Sequence, residues 1–122
     1  MNGSESTCGM DVRKFFDLST AHMTSKDNIL LKEAAKPDYN GASQIYVIDK
    51  DQGYIVIPTF GDDPFEARAK MLEEGFSLAL VDLCKLAYDN DMTGLWFDSD
   101  AAAYKEYPCF DWMEDDRVYY EV

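Results

Sequence analysis

The sequence has few of the residues that most often carry cross-links or metal ions. It contains one histidine, His22, and three cysteines, and no two cysteines have C-x-x-C spacing. A disulfide framework uses an even number of cysteines, and structural zinc needs four ligands. The composition therefore argues against both, and we expect Cys8, Cys84 and Cys109 to be free thiols in a reducing cytoplasm.

Long hydrophobic runs are also missing. No apolar stretch approaches the roughly 20 residues that cross a bilayer. The first ten residues, MNGSESTCGM, are mostly polar and contain no lysine or arginine, rather than being basic and then apolar like a signal peptide. These features predict a cytoplasmic protein without a membrane partner.

Basic residues are scarce. The chain has 11 lysines and arginines against 24 acidic residues, which gives a net charge of -13. Phosphate backbones and anionic membranes bind to cationic surfaces. We therefore expect no direct binding to nucleic acid, and the partner that fits this charge is a basic protein.

Motifs for catalysis and for cofactor binding are absent as well. There is no glycine-rich phosphate loop and no G-x-S-x-G elbow. The residue types of a nucleophilic triad do occur at Asp17, Ser19, Thr20 and His22, but neighbours on a strand point to opposite faces. We expect these residues to bond the end of a strand to the start of a helix, and we predict no cofactor.

What the chain does contain is enough apolar material for a core. Hydrophobic residues make up 47% of the sequence and aromatic residues 14%, far more than in a disordered chain. The length suits one domain. We predict a flexible arm over residues 1–11 and a single domain over residues 12–122.

Local patterns predict the elements of this domain. Thr24 and Asp27 form a helix-capping pattern before an apolar helix that ends ahead of Pro37. Strands are predicted over residues 14–20, in a hairpin over 44–60 near the centre of the sheet, over 94–98, and in a last strand or hairpin over 117–122.

A second helical segment begins at Asp63-Pro64 and has apolar residues at helical spacing. These residues are Phe65, Ala69, Leu72, Phe76, Leu80, Leu83 and Ala87. Gly75 interrupts the pattern, so the segment is either one bent helix or two helices, with Ser77 capping the second. The resulting β-α-β-β-α-β order predicts an α+β fold, ferredoxin-like or related, with helices on one face of a small antiparallel sheet.

The acidic residues concentrate in the second half of the chain. Residues 62–122 contain 16 acids and 5 bases, a net charge of -11. Aromatic residues lie among these acids, and protein interfaces are rich in aromatic residues. We therefore predict a partner-binding surface in this half of the chain. Its predicted members are Asp98, Asp100, Asp111, Glu114, Asp115 and Asp116 with Trp96, Tyr107 and Trp112. On an extended run Asp98 and Asp100 would point the same way, about 6.6 Å apart.

Three segments carry a resemblance. They are F-F-D-L-S-T-A-H at residues 15–22, L-W-F-D-S-D at 95–100 and Y-P-C-F-D-W at 107–112. With them the chain resembles a small family of uncharacterised proteins carried on bacterial plasmids and other mobile elements. This resemblance implies an accessory role against host defence, similar to that of anti-restriction and anti-CRISPR proteins that mimic DNA.

Three functional hypotheses follow. The first is a non-enzymatic acidic inhibitor that occupies the basic groove of a host defence nuclease. The second is a metal-dependent hydrolase that uses Asp98 and Asp100 with His22. The third is a plain protein-interaction module that is acidic for solubility alone.

Overall fold

The computed structural model of the chain describes residues 13–39 and 44–121, so the predicted arm at residues 1–11 lies outside them. The strands are β1 (Phe15–Ser19), β2 (Ile45–Lys50), β3 (Gly53–Pro58), β4 (Gly94–Asp98), β5 (Cys109–Asp111) and β6 (Arg117–Tyr119). The α-helices are α1 (Ser25–Ala34), α2 (Pro64–Glu73) and α3 (Leu78–Asp89). Helices and strands together confirm the predicted α+β class.

The start of α1 has the capping box that the sequence predicts. The Thr24 hydroxyl accepts a hydrogen bond from the Asp27 backbone N–H at 2.9 Å. In return, the Asp27 carboxylate accepts one from the Thr24 backbone N–H at 3.0 Å. The two bonds satisfy amide groups that have no partner within the helix.

The segment after Pro64 forms two helices, which was the second of the two predicted alternatives. Gly75 between α2 and α3 has φ +105, in the region that favours glycine, and the Ser77 hydroxyl caps α3 at the Leu80 N–H. The break also changes which side of α2 is buried. Phe65 is 71% exposed, and Ala67 and Met71 face the core instead, so the single apolar stripe was wrong for α2.

The main sheet has the order β1-β4-β3-β2. The β2–β3 and β3–β4 pairs are antiparallel and β1 and β4 are parallel, so the sheet is mostly antiparallel, as predicted, with one parallel pair at its edge. Two helices rather than one join β3 to β4. The chain therefore enters β4 beside the end of β3, which makes that pair antiparallel and leaves β4 parallel to β1.

Of the two strands of the β2–β3 hairpin, only β3 lies in the interior of the sheet. In β3, Tyr54, Ile55 and Val56 are all buried. In contrast, β2 lies at the edge of the sheet, and Tyr46 is 59% exposed. Apolar residues on both faces of β2 predicted a central strand, but the edge position leaves one of its faces open.

One face of the sheet and all three helices form the core. The largest fully buried side chains include Phe97 and Leu95 of β4, Leu31 of α1, Met71 of α2 and Leu80 of α3. These belong to one contiguous apolar cluster. Since side chains alternate along a strand, Trp96 of β4 points to the opposite face.

The small second sheet pairs β5 with β6 in antiparallel register, with Phe110 opposite Val118. It provides the last strand that the sequence predicts over residues 117–122, although Val122 is outside the described residues. Across the described part of the chain, the helices are all too short or too polar to cross a membrane.

Candidate functional site

The three sequence motifs meet at one end of the main sheet. In the register of β1 and β4, Ser19 lies beside Asp98, so D-L-S-T-A-H is adjacent to the end of L-W-F-D-S-D. Trp112 of the third motif lines a cavity of 280 Å³ together with Thr20 and Ser99. Segments that are far apart in the sequence thus form one structural site.

His22, the last residue of the D-L-S-T-A-H motif, is completely buried. Its Nδ1 is 2.9 Å from the Pro108 carbonyl oxygen, and its Nε2 accepts a 2.9 Å hydrogen bond from the Tyr104 backbone N–H. These partners assign the neutral ring with its proton on Nδ1. With both nitrogens bonded to the backbone, His22 anchors residues 104–108 rather than the start of α1.

The two cysteines that the structure describes are free and buried, as predicted; Cys8 lies outside the described residues. Burial raises the pKa of the Cys84 thiol, and it does the same to the pKa of Cys109, whose Sγ is 3.8 Å from His22 Nδ1. A thiol must ionise to act as a nucleophile. Both therefore remain protonated side chains of the interior at neutral pH.

Side chains after β5 attach the second sheet to α1. The Trp112 indole N–H donates a 2.8 Å hydrogen bond to the Met23 carbonyl oxygen. The Asp116 carboxylate accepts hydrogen bonds from the Ser25 backbone N–H at 2.8 Å and from its hydroxyl at 2.9 Å. Because Ser25 is the first residue of α1, the carboxylate also lies at the positive end of the helix dipole.

Asp98 and Asp111 are likewise engaged within the chain. The Asp98 carboxylate accepts a hydrogen bond of 2.9 Å from the Asp100 backbone N–H. The Asp111 carboxylate accepts one of 3.1 Å from the Met113 N–H and lies 3.7 Å from the Arg117 guanidinium. Together with Asp116, these carboxylates shape the turns on which they lie.

The side chains of Asp100, Glu114 and Asp115 differ, because they are exposed and have no partner among the residues described here. Asp100 lies in the turn after β4, since its own N–H bonds back to Asp98. The expectation that Asp98 and Asp100 share an extended run is therefore wrong. Asp115 has φ 56, a left-handed conformation that aspartate tolerates, and it presents its carboxylate at the tip of the β5–β6 connection.

The predicted aromatic residues are divided between two faces. The Trp96 ring meets Phe15 edge-on at 5.9 Å and lies 5.7 Å from the Lys50 ammonium, on the sheet face away from the core. The Tyr107 ring packs against His22 at 6.1 Å. The structure thus brings Tyr107 and Trp112 to the second sheet and leaves Trp96 apart from them.

The residues named in the hydrolase hypothesis have separate hydrogen-bond partners. The Asp98 carboxylate bonds to the turn after β4, whereas both nitrogens of His22 bond to the segment before β5. Over residues 13–39 and 44–121, no group of three or more histidine, cysteine or acidic side chains is placed to hold a metal ion.

A feature that the sequence did not predict is an apolar groove of 580 Å³ between α3 and the second sheet. The residues that form its two sides are Leu78, Leu83 and Leu86 on α3 and Phe110, Val118 and Tyr120 on the other side. Asp82, which also lines the groove, lies 3.1 Å from the Arg68 guanidinium. No local pattern marks the groove, because Val118 lies in β6, Tyr120 lies just after it, and the other side comes from α3.

Comparison with known proteins identifies one family. No curated protein and no solved structure matches the chain. Residues 15–112, which include all three motifs, match the C-terminal domain of a family of unknown function, DUF5983. Since this match covers most of the 122 residues, the chain belongs to that family.

Proposed function

We propose that this domain is a non-enzymatic inhibitor that binds a basic groove of a protein partner in the cytoplasm. The observation that carries the proposal is the division among its acidic side chains. Asp98, Asp111 and Asp116 bond within the chain and fix two turns, while Asp100, Glu114 and Asp115 on those turns are unpaired among the described residues. The three unpaired carboxylates therefore lie on turns whose backbone is held in place by hydrogen bonds.

This order matters for affinity. Binding costs free energy for every side chain and loop that must be immobilised, and a preorganised surface reduces that cost. The hydrogen bonds of Trp112 to Met23 and of Asp116 to Ser25 already hold the acidic turn against α1. The turn can therefore meet a partner without first becoming ordered.

The partner chemistry follows from the charge. Residues 62–122 carry a net charge of -11, which attracts lysine- and arginine-lined surfaces over long distances. Grooves that bind DNA have such surfaces, spaced to meet phosphates. A nuclease of a host defence system fits this description, and the resemblance to plasmid-borne proteins supports the same partner class.

The proposal is tested with the unpaired carboxylates. Replacement of Asp100, Glu114 and Asp115 by Asn, Gln and Asn should reduce affinity for DNA-binding restriction nucleases about tenfold at low salt. Inhibition of DNA cleavage should fall with it. Affinity is measured by biolayer interferometry at increasing salt concentration, where binding of the unmodified chain should weaken steeply.

A matched control removes the same number of charges from the helices. Glu33, Glu66 and Glu73 are exposed on α1 and α2, and their replacement by Gln should change affinity less than about twofold. Equal losses in the two triple variants would overturn the proposed site, because net charge alone would then explain binding. Absence of binding to any of the nucleases at low salt would overturn the function.

A further inference from the structure

We infer that the groove between α3 and the second sheet binds large apolar side chains of the partner's basic segment. This inference rests on the proposed function and adds to it the chemistry of the segment: lysines or arginines that flank one or two large apolar residues. The acidic turns would attract the basic residues of the segment. The groove would bury its apolar side chains away from water.

The first observation is the exposure of apolar side chains around the groove. Leu78, Val118 and Tyr120 are each more than half exposed, at 52%, 54% and 56%. Such residues are unremarkable when scattered singly, but they line one cavity here. Contiguous exposed apolar surface of this kind is typical of binding sites.

The second observation is that the apolar residues of each side share one face of their element. Leu78 and Leu86 are eight residues apart on α3, so both lie on one face of the helix. Phe110 and Val118 are opposite each other in the β5–β6 register and share a face of the second sheet. The space between the walls is 580 Å³, within the range of about 300–1,000 Å³ found for ligand pockets.

Charge selects the occupant. Asp82 in the lining is paired with Arg68, but residues 62–122, which contain the named residues of both walls, carry a net charge of -11. A second copy of this chain would bring another -13 charge to the same place and be repelled. A cationic amphipathic segment satisfies both the apolar walls and the acidic surroundings.

The experiment uses three synthetic peptides of equal length and the full chain. The first alternates lysines with Leu and Phe, the second has Ser in place of each apolar residue, and the third has Ser in place of each lysine. In NMR titrations at low salt, the first peptide should bind at least about tenfold tighter than either of the others. It should shift the signals of Leu78, Leu86 and Val118 most.

The possible failures are distinguishable. Equal binding of the first and second peptides would overturn the groove while leaving the proposed acidic attraction intact. Equal binding of the first and third peptides would overturn the cationic occupant and count against the proposed function. Absence of groove shifts with the first peptide would overturn the inference whatever its affinity.

Substitutions in the groove provide a second test of the inference. Leu78→Ser with Val118→Ser should weaken binding of the first peptide about tenfold and leave binding of the lysine-serine peptide unchanged. The matched control is Ile29→Ser with Tyr46→Ser, which removes two apolar side chains that are similarly exposed, at 61% and 59%, outside the groove. Circular dichroism confirms that each variant is folded. Equal effects of the two pairs would overturn the assignment.

Discussion

The carboxylate of Asp27 joins the N-termini of two helices. It accepts a hydrogen bond from the Thr24 N–H in the capping box of α1. It also accepts bonds from the Ser77 N–H at 2.8 Å and from the Ser77 hydroxyl at 2.6 Å, at the cap of α3. Asp27 is fully buried, so these bonds satisfy a charge that water cannot reach.

Asp27→Asn tests this link. The amide keeps one acceptor oxygen but turns N–H donors toward the donors of Thr24 or Ser77, which should lower the free energy of unfolding by about 3 kcal/mol. Urea denaturation gives the value. Asp63→Asn at the exposed cap of α2 is the control, and it should cost less than about 0.5 kcal/mol because Asn caps helices as well as Asp. Equal effects would show that Asp27 is an ordinary cap.

Glu74 is an unfavourable acidic residue at the end of α2. One of its carboxylate oxygens is buried without a hydrogen-bond partner among residues 13–39 and 44–121, and burial raises the pKa of this carboxyl above its ordinary 4.5. The folded state therefore binds the proton more tightly than the unfolded state. Below pH 4.5 the carboxyl is protonated in both states, and stability is lost as pH rises through the raised pKa.

Glu74→Gln should consequently stabilise the protein at neutral pH by about 0.5–1 kcal/mol, because it removes a negative charge that burial disfavours. Thermal unfolding measured across the acidic range should show the gain shrinking toward zero below the ordinary glutamate pKa. Glu73→Gln, at the exposed neighbour, is the control and should give a smaller gain. A gain for Glu74→Gln that did not depend on pH would contradict the role of burial.

Sequence patterns predict the contacts that a residue makes with its neighbours in the sequence. They do not predict its contacts with residues far away in the sequence. The caps at Thr24 and Ser77 involve hydrogen bonds across three residues, so the pattern alone predicted them. The bond from Ser77 to Asp27 spans 50 residues, and the bond from His22 to Pro108 spans 86. A structural role for His22 was predictable, but its partners depend on how the whole chain folds.

At the scale of the element, Gly75 separates α2 from α3. Its φ of +105 is costly for any residue with a side chain, and a Cβ there would lie 3.3 Å from the Lys26 side chain. Gly75→Ala should therefore lower the free energy of unfolding by about 1–2 kcal/mol.

The control for this variant is Gly61→Ala. A Cβ at Gly61 would meet nothing within 4 Å, and no left-handed φ is required there. That substitution should be neutral or stabilise slightly, because alanine restricts the unfolded chain. Urea denaturation of both variants checks the pair, and similar losses would indicate that the backbone at Gly75 does not require glycine.

The elements themselves were more predictable than their arrangement. Most strands and helices have a periodicity or a cap that acts over a few residues, so their positions follow from the sequence, whereas the three-residue strand β5 was not predicted. The parallel pairing of β1 with β4 places Phe15 beside Gly94, which is far from it in the sequence. No local sequence pattern predicts such a pairing. The orientation of α2 was missed for a related reason, since the break at Gly75 changes the side that faces the core.

At the scale of the whole molecule, composition predicts the amount of charge but not its use. The sequence predicted nine surface residues for a partner. The structure divides the six acids among them into those that shape turns and those that remain unpaired among the described residues. The apolar groove was not predictable, because its walls come from α3 and from a second sheet that touch only in the folded chain.

The net charge of -13 itself predicts how stability depends on salt. Five ion pairs are formed within the described residues, all partly exposed and of small individual value, so unpaired acids dominate the electrostatic free energy. Raising sodium chloride from about 10 mM to about 0.5 M shortens the screening length from about 30 Å to a few Å. Repulsion among the acids should fall, and the melting temperature should rise by about 4 °C.

The triple variant of Asp100, Glu114 and Asp115 is the internal comparison for this effect. It has three fewer negative charges, so its melting temperature at low salt should be above that of the unmodified chain, and its increase with salt should be smaller. Differential scanning calorimetry measures both. A melting temperature that fell with added salt would mean that attractive pairs outweigh repulsion, and the unpaired carboxylates would then cost the fold nothing. A rise that is larger in the unmodified chain than in the triple variant would show instead that these three carboxylates lower the stability of the fold.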